Sequence, residues 1–286
     1  MPRLLQLNLL VLLWSLTGIL GELISLQPVA LVFWRTAIAS LLFYAFCQLS
    51  TRQLLRISRK HLFLALLAGF LIGLHWLCFF GAISVSNVSV GLAGFAATSL
   101  FTALLEPLVG RKRPETRKVL LAVLVAVGIV LIAGAKTEVP NPALGLSLAL
   151  VGAFLAACYG LLSKKLVTAD VPGPSIMLYQ ILAANSSAIL AMALFPTFPF
   201  ETPEPADWLP LLFLAVICTF GAYLWLIRLL RHLTTYTVNL SINFEPVYGI
   251  LMAAVLFAEY QTLTPLFYLG SLTILVANAI NALLPE

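Results

Sequence analysis

Of the 286 residues, 62% are hydrophobic and only 9% are charged, with a formal net charge of +5. Soluble domains carry about 25% charged residues, so this chain cannot cover a water-facing surface, and a disordered chain needs the opposite balance. What remains is an all-α polytopic membrane protein of mean hydropathy +1.05, in which about 20 residues make one span.

Apolar stretches bounded by charge, Pro or Gly predict ten helices, at 4–21, 28–49, 61–84, 87–109, 116–135, 142–165, 174–195, 207–231, 234–258 and 264–284. Each holds about 18 to 25 residues, enough to cross a core of about 30 Å at 1.5 Å per residue. The runs are continuous rather than alternating, which argues against a β-barrel. The first run follows Arg3 as a signal peptide would, but it is long and no A-x-A pattern precedes Glu22, so it reads as an uncleaved span. Cys47, Cys78, Cys158 and Cys218 lie inside apolar runs without metal-ligand spacing and read as small buried hydrophobes.

Orientation follows from the basic residues. With the N-terminus inside and strict alternation, the inner segments hold 14 of the 16 Lys and Arg, from Arg3 to Arg231. Glu22, Glu138, Glu201, Glu204, Asp207 and Glu259 fall outside. A miscounted helix would scramble this segregation, so it supports ten spans with both termini inside.

The halves resemble each other at an offset of about 145 to 149 residues. Leu13-Trp14-Ser15 matches Cys158-Tyr159-Gly160, and Val32-Phe33-Trp34-Arg35 matches Met177-Leu178-Tyr179-Gln180. Val85 to Ser89 matches Leu233 to Thr237, and the basic turn Arg111-Lys112-Arg113 falls opposite Ala258-Glu259-Tyr260. Five helices per copy is an odd number, so the second copy (139–286) is upside down relative to the first (1–138). Inverted repeats are a signature of secondary transporters, whose halves exchange conformations.

Ten spans in two five-helix halves resemble the drug/metabolite transporter superfamily, specifically EamA-type proteins. The resemblance rests on Trp14-Ser15 and Tyr159-Gly160, on Phe33-Trp34-Arg35, on the small polar stretches opening helices 4 and 9, and on Glu245-Pro246-Val247, Phe257-Ala258-Glu259 and Gly270. The first half departs from the pattern: Ser99 stands where helix 9 has Pro246, and Lys112 stands opposite Glu259. The resemblance implies a bacterial inner-membrane carrier of small metabolites such as amino acids, often an exporter.

Charges within spans are costly and mark cavities or partners. Glu245 falls near the midplane of helix 9, before Pro246, which is expected to kink the helix; it is a candidate for solute or proton binding. Arg35 can take a carboxylate or phosphate bidentately, pair with Glu22 or another acid, or snorkel to the outer surface. His75, beside Trp76, can relay protons or simply be hydrogen-bonded. Glu106, near Arg111 and Lys112, reads as a gate or structural charge. Ser241 and Glu245 are four apart and share a helical face, as do Asn239 and Asn243. Trp14, Tyr159, Tyr179, Tyr223 and Trp225 are candidates for an aromatic wall, with Trp14, Tyr159 and Trp76 the deepest. Asn185-Ser186-Ser187 is expected to interrupt helix 7 and bond across helices, and Gly69 and Gly73 form a packing motif.

These features predict a secondary transporter of a small organic solute in the cytoplasmic membrane, working by alternating access with protons as a candidate coupling ion. No cofactor, metal or nucleic acid is called for, and one chain can enclose the cavity, although a dimer stays open. A channel or exchanger is the alternative. An enzyme is disfavoured, since no H-E-x-x-H, close acid pair or G-x-x-x-x-G-K-[ST] occurs.

Overall fold

The structure, a computed structural model, describes residues 2–50, 55–110, 116–135, 138–230, 232–233, 241–242 and 244–283. Among these residues regular structure is entirely helical. The helices are α1 Arg3–Leu23, α2 Pro28–Ser50, α3 Arg59–Val85, α4 Val88–Phe95, α5 Thr98–Gly110, α6 Thr116–Gly134, α7 Pro142–Thr168, α8 Gly173–Leu194, α9 Trp208–Leu212, α10 Ala222–Leu230, α11 Glu245–Leu256 and α12 Pro265–Leu283. A π-helical stretch, Phe213–Gly221, joins α9 to α10. Seven segments of the described residues are long and apolar enough to cross a membrane, with α4 and α5 forming one and the π-stretch with its flanks another. Three shorter apolar helices accompany them, at Leu120–Gly134, Glu245–Leu256 and Pro265–Ala277.

Local chemistry sets the helix starts. The Ser58 hydroxyl accepts from the His61 N–H at 3.3 Å, and Asn87 Oδ1 accepts from the Val90 N–H at 2.9 Å; each satisfies a donor that the first turn leaves orphaned. Pro142 and Pro174 sit in the first turns of α7 and α8, where a missing N–H costs nothing.

Three expected helices depart from simple rods. The run 87–109 is two helices, because Ala96 and Ala97 form a turn. The Thr98 hydroxyl donates to Phe95 O at 2.7 Å there, a local bond that competes with helical pairing. In the run 207–231 the chain widens into the π-stretch, where the Thr219 hydroxyl donates to Leu214 O five residues back, at 2.8 Å. In the run 234–258, Phe244 is a turn and α11 begins at Glu245. Pro246 therefore opens a helix rather than kinking one. That turn also separates Ser241 from Glu245, so the two do not share one continuous helical face. Conversely, α8 runs unbroken through Asn185-Ser186-Ser187, because Ser186 and Ser187 donate back to Ala183 O and Ala184 O.

Helices from the two ends of the chain interleave. α3 packs against α7 and α8; α1 packs against the π-stretch, α10 and α11. α4 lies on both α7 and α11, α2 on α8 and the π-stretch, and α6 on α12. Small residues permit these approaches. Gly69 rests on the Gln180 backbone and Gly73 on the Ala184 backbone, as the glycine motif predicts. Gly128 and Gly270 face each other where α6 crosses α12.

The bundle has an acidic end and a basic end. Turns carrying Glu201, Glu204 and Asp207 meet the α1–α2 turn. Glu138 N–H donates to Thr262 O at 3.2 Å, and Glu22 is within electrostatic reach of Glu259.

Candidate solute site

Arg35 sits inside the bundle at 3% exposure. Its Nε donates to the Thr219 hydroxyl at 2.9 Å. The guanidinium lies over the Trp76 ring, 4.3 Å from its centroid, and 5.7 Å from that of Phe80. A guanidinium stays charged when buried, so it needs such contacts to offset lost hydration. Arg35 neither snorkels nor meets Glu22, which is exposed at the end of α1. The π-stretch is what brings Thr219, with Cys218 alongside, to Arg35.

Glu245, Tyr223 and Cys218 lie within electrostatic reach of Arg35. Glu245 stands at the first turn of α11, and its carbonyl is 2.9 Å from the Ser15 hydroxyl of α1. Among the described residues Arg35 and Glu245 make no direct ion pair, although each lies within electrostatic reach of the other. Tyr223 links the aromatics: its ring is 5.7 Å from that of Trp14, and its hydroxyl is close enough to that of Tyr159 to share a hydrogen bond. Tyr159 donates to Gln180 Oε1 at 3.3 Å, and Gln180 Nε2 donates to Ser163 at 2.9 Å.

The site thus draws Trp14 and Ser15 from α1, Arg35 from α2, Trp76 from α3, Tyr159 from α7, Gln180 from α8, Thr219 and Tyr223 from the π-stretch and α10, and Glu245 from α11. Two wall candidates lie elsewhere. Tyr179 donates to Leu55 O, and Trp225 Nε1 donates to Gln6 Oε1 at 3.1 Å, both toward the basic end. An apolar groove of about 440 Å³ on the flank, lined by Phe33, Met192, Phe198 and Phe200 among others, holds no charged group.

His75 Nδ1 lies 3.0 Å from Gly152 O; a carbonyl only accepts, so Nδ1 carries the proton. Its ring lies against Phe79 and Phe95, 6.0 Å and 5.1 Å between centroids. Glu106 pairs with Lys164 at 3.0 Å across α5 and α7. Ser241 is buried. Asn239 and Asn243 lie outside the described residues, as do Arg111 and Lys112.

The EamA-like transporter family matches residues 3–134 and again 143–282. The chain belongs to the EamA-like transporter family. It is therefore a multi-pass membrane protein of a transporter family. A solved crystal structure aligns over 98% of this EamA-like chain and 97% of its own, with a TM-score of 0.67 and 21% identity, which shows a shared fold. No curated protein matches.

Three polar residues of the EamA-like site escaped the sequence reading. Gln180 was visible only as the repeat partner of Arg35. Thr219 had one available signal, a lone hydroxyl in the apolar run Phe213–Gly221. Ser163, beside Lys164 near the helix end, offered none.

Proposed function

We propose that this EamA-like transporter is a secondary carrier of the cytoplasmic membrane, with ten spans in two inverted five-helix repeats, 1–138 and 139–286, and both termini inside. The family matches leave a seam between 134 and 143. Helix pairings support the repeat: α3 on α7 and α8 has its counterpart in the π-stretch and α10 on α1 and α2, and α4 on α7 has its counterpart in α11 on α1. The pairs α2–α8, α4–α11 and α6–α12 each join a helix to its own counterpart. A twofold relation between the halves generates this pattern. Broken helices at the middle of such a repeat are where carriers hold solutes, and the α4–α5 break and the start of α11 support this reading.

The solute is a small zwitterion of the amino-acid class. Arg35 takes its carboxylate and Glu245 its ammonium, while Trp14, Tyr159 and Tyr223 flank its body. The reading rests on one observation, the buried Arg35 and the half-buried Glu245 held within reach of each other without a direct pair among the described residues. A proton on Glu245 in the empty carrier couples transport to pH. Alternating access carries the site between the two faces.

Counterflow of radiolabelled amino acids in proteoliposomes, with and without a pH gradient, tests this. Saturable uptake is expected. Arg35→Ala should reduce it about tenfold or more, the effect of losing one charge-assisted contact. Glu245→Gln should abolish the response to the gradient. Non-saturating flux would indicate a channel, and full activity in both variants would remove the pair from the mechanism.

A further inference from the structure

Among the described residues the acidic end is stitched together in one sense. Each carboxylate seen in this stitching belongs to the second half of the chain and takes a backbone N–H from the first half. Glu259 accepts the Val88 N–H on Oε1 and the Ser89 N–H on Oε2, both at 3.0 Å. Asp207 accepts the Ser25 N–H at 2.8 Å and the Ser25 hydroxyl at 2.7 Å. Glu201 accepts the Gln27 N–H at 2.8 Å, and its own carbonyl accepts Trp34 Nε1 at 2.9 Å. Glu259 and Asp207 are buried.

The Glu259 contact closes on a helix that the solute site needs. Val88 and Ser89 are the first residues of α4, whose other flank packs on α11, the helix that begins at Glu245. Glu259 follows the end of α11 with only Phe257 and Ala258 between. It therefore clips α4 to the far end of the helix that carries the central carboxylate. The clip is held under strain, because Ala258 before it adopts φ 52°, a left-handed conformation that costs a non-glycine residue about 1–2 kcal/mol. The surroundings also hold unused hydrogen-bonding groups. The Ser89 and Tyr268 hydroxyls are buried without a hydrogen-bond partner among the described residues, and Tyr268 is within electrostatic reach of Glu259. A carboxylate that lets go of α4 has the Tyr268 hydroxyl at hand.

We propose that Glu259, Asp207 and Glu201 form a latch between the halves that shuts the acidic end, and that this latch releases each time a solute passes there. The inference rests on the transport reading above, since a latch matters only if that end opens. Its three carboxylates act as gate residues and touch no solute. Backbone donors suit the task. They cannot be lost by side-chain rotation, and a rigid-body tilt of one half breaks the set together.

Cys218 supplies a native reporter, being fully buried beside Arg35. In a chain whose other three cysteines are replaced by alanine, a membrane-impermeant maleimide reaches Cys218 only through an open end. The test compares its labelling rate in membrane vesicles of both orientations for wild type, Glu259→Gln, Asp207→Asn and the double variant. The expected result is about tenfold faster labelling from the acidic side in the double variant, with smaller rises in the single ones and no rise from the basic side. An unchanged acidic-side rate, or an equal rise from both sides, overturns the latch. Ser25→Ala removes one side-chain donor to Asp207 and leaves every carboxylate in place; its acidic-side rate should rise by a smaller factor, and no change in a folded Ser25→Ala protein counts against the latch. Labelling needs no solute, so failure of the counterflow assay and failure of the latch are read separately.

Discussion

The two ends of the bundle are joined by different chemistry. At the acidic end, buried carboxylates grip backbone N–H groups across the halves. At the basic end the described ties include side-chain pairs, Glu106 with Lys164, Trp225 with Gln6 and Tyr248 with Asn8, and one neutral hydroxyl, Tyr179, on the Leu55 carbonyl. The Lys164 and Glu106 side chains are 60% and 37% exposed. A solvated ion pair contributes about 0–1 kcal/mol, whereas a hydrogen bond to a charged acceptor contributes about 1.5–3 kcal/mol. Ionic ties are therefore weak where cations are plentiful and strong where they are scarce. The charge census of an end says little about how firmly it is held; burial and the identity of the donor decide it.

The largest effect that sharpens this contrast is expected from Glu259→Ala. It leaves two N–H groups of α4 without partners and should cost about 3 kcal/mol, read as a lowered midpoint of thermal unfolding in detergent. Asp207 should impose acid sensitivity. Burial opposes its charge, but the Ser25 N–H, the Ser25 hydroxyl and the Glu204 N–H outweigh burial and hold the carboxyl below its ordinary 3.8. Its stabilisation is then complete above 3.8 and is lost as pH falls through the lowered value. Unfolding midpoints measured from pH 6 to pH 3 should fall more steeply in wild type than in Asp207→Asn. Ser25→Ala should cost about 1–2 kcal/mol in the same unfolding assay. The smallest effect belongs to Lys164→Ala, under about 1 kcal/mol and further reduced by salt. A Lys164→Ala loss equal to that of Glu259→Ala would break the contrast.

Much of this was legible in advance, for identifiable reasons. Hydrophobic runs give helices because a bilayer leaves the backbone few other ways to pair. Arg35 and Glu245 were legible because a charge in an apolar run stands out whatever its partner. Trp14 and Tyr159 were legible through their shared place in the repeat. The partners were not. One expected mate of Arg35 was an acid such as Glu22, but its hydrogen bond goes to Thr219, because a widened helix turns that hydroxyl inward and composition carries no trace of the widening. Pro246 was legible as a break but not as a beginning, since a proline opens a helix or kinks one according to what precedes it. Glu259 looked like one of several outer acids. Its grip on α4 depends on two segments about 170 residues apart meeting, which no local pattern encodes.

The π-stretch has a consequence for how the chain tolerates length changes. Each residue of an ordinary α-helix turns the chain by about 100°. A wide stretch of this kind behaves as though an extra residue had been inserted without breaking the rod. Removing one residue between Phe213 and Thr219 would let the segment relax into a regular helix, a mild change for the backbone. It would also remove the wide turn in which the Thr219 hydroxyl donates to Leu214 O five residues back, the arrangement that now presents that hydroxyl to Arg35. This segment is where the protein would forgive a deletion most readily as a fold and least readily as a carrier.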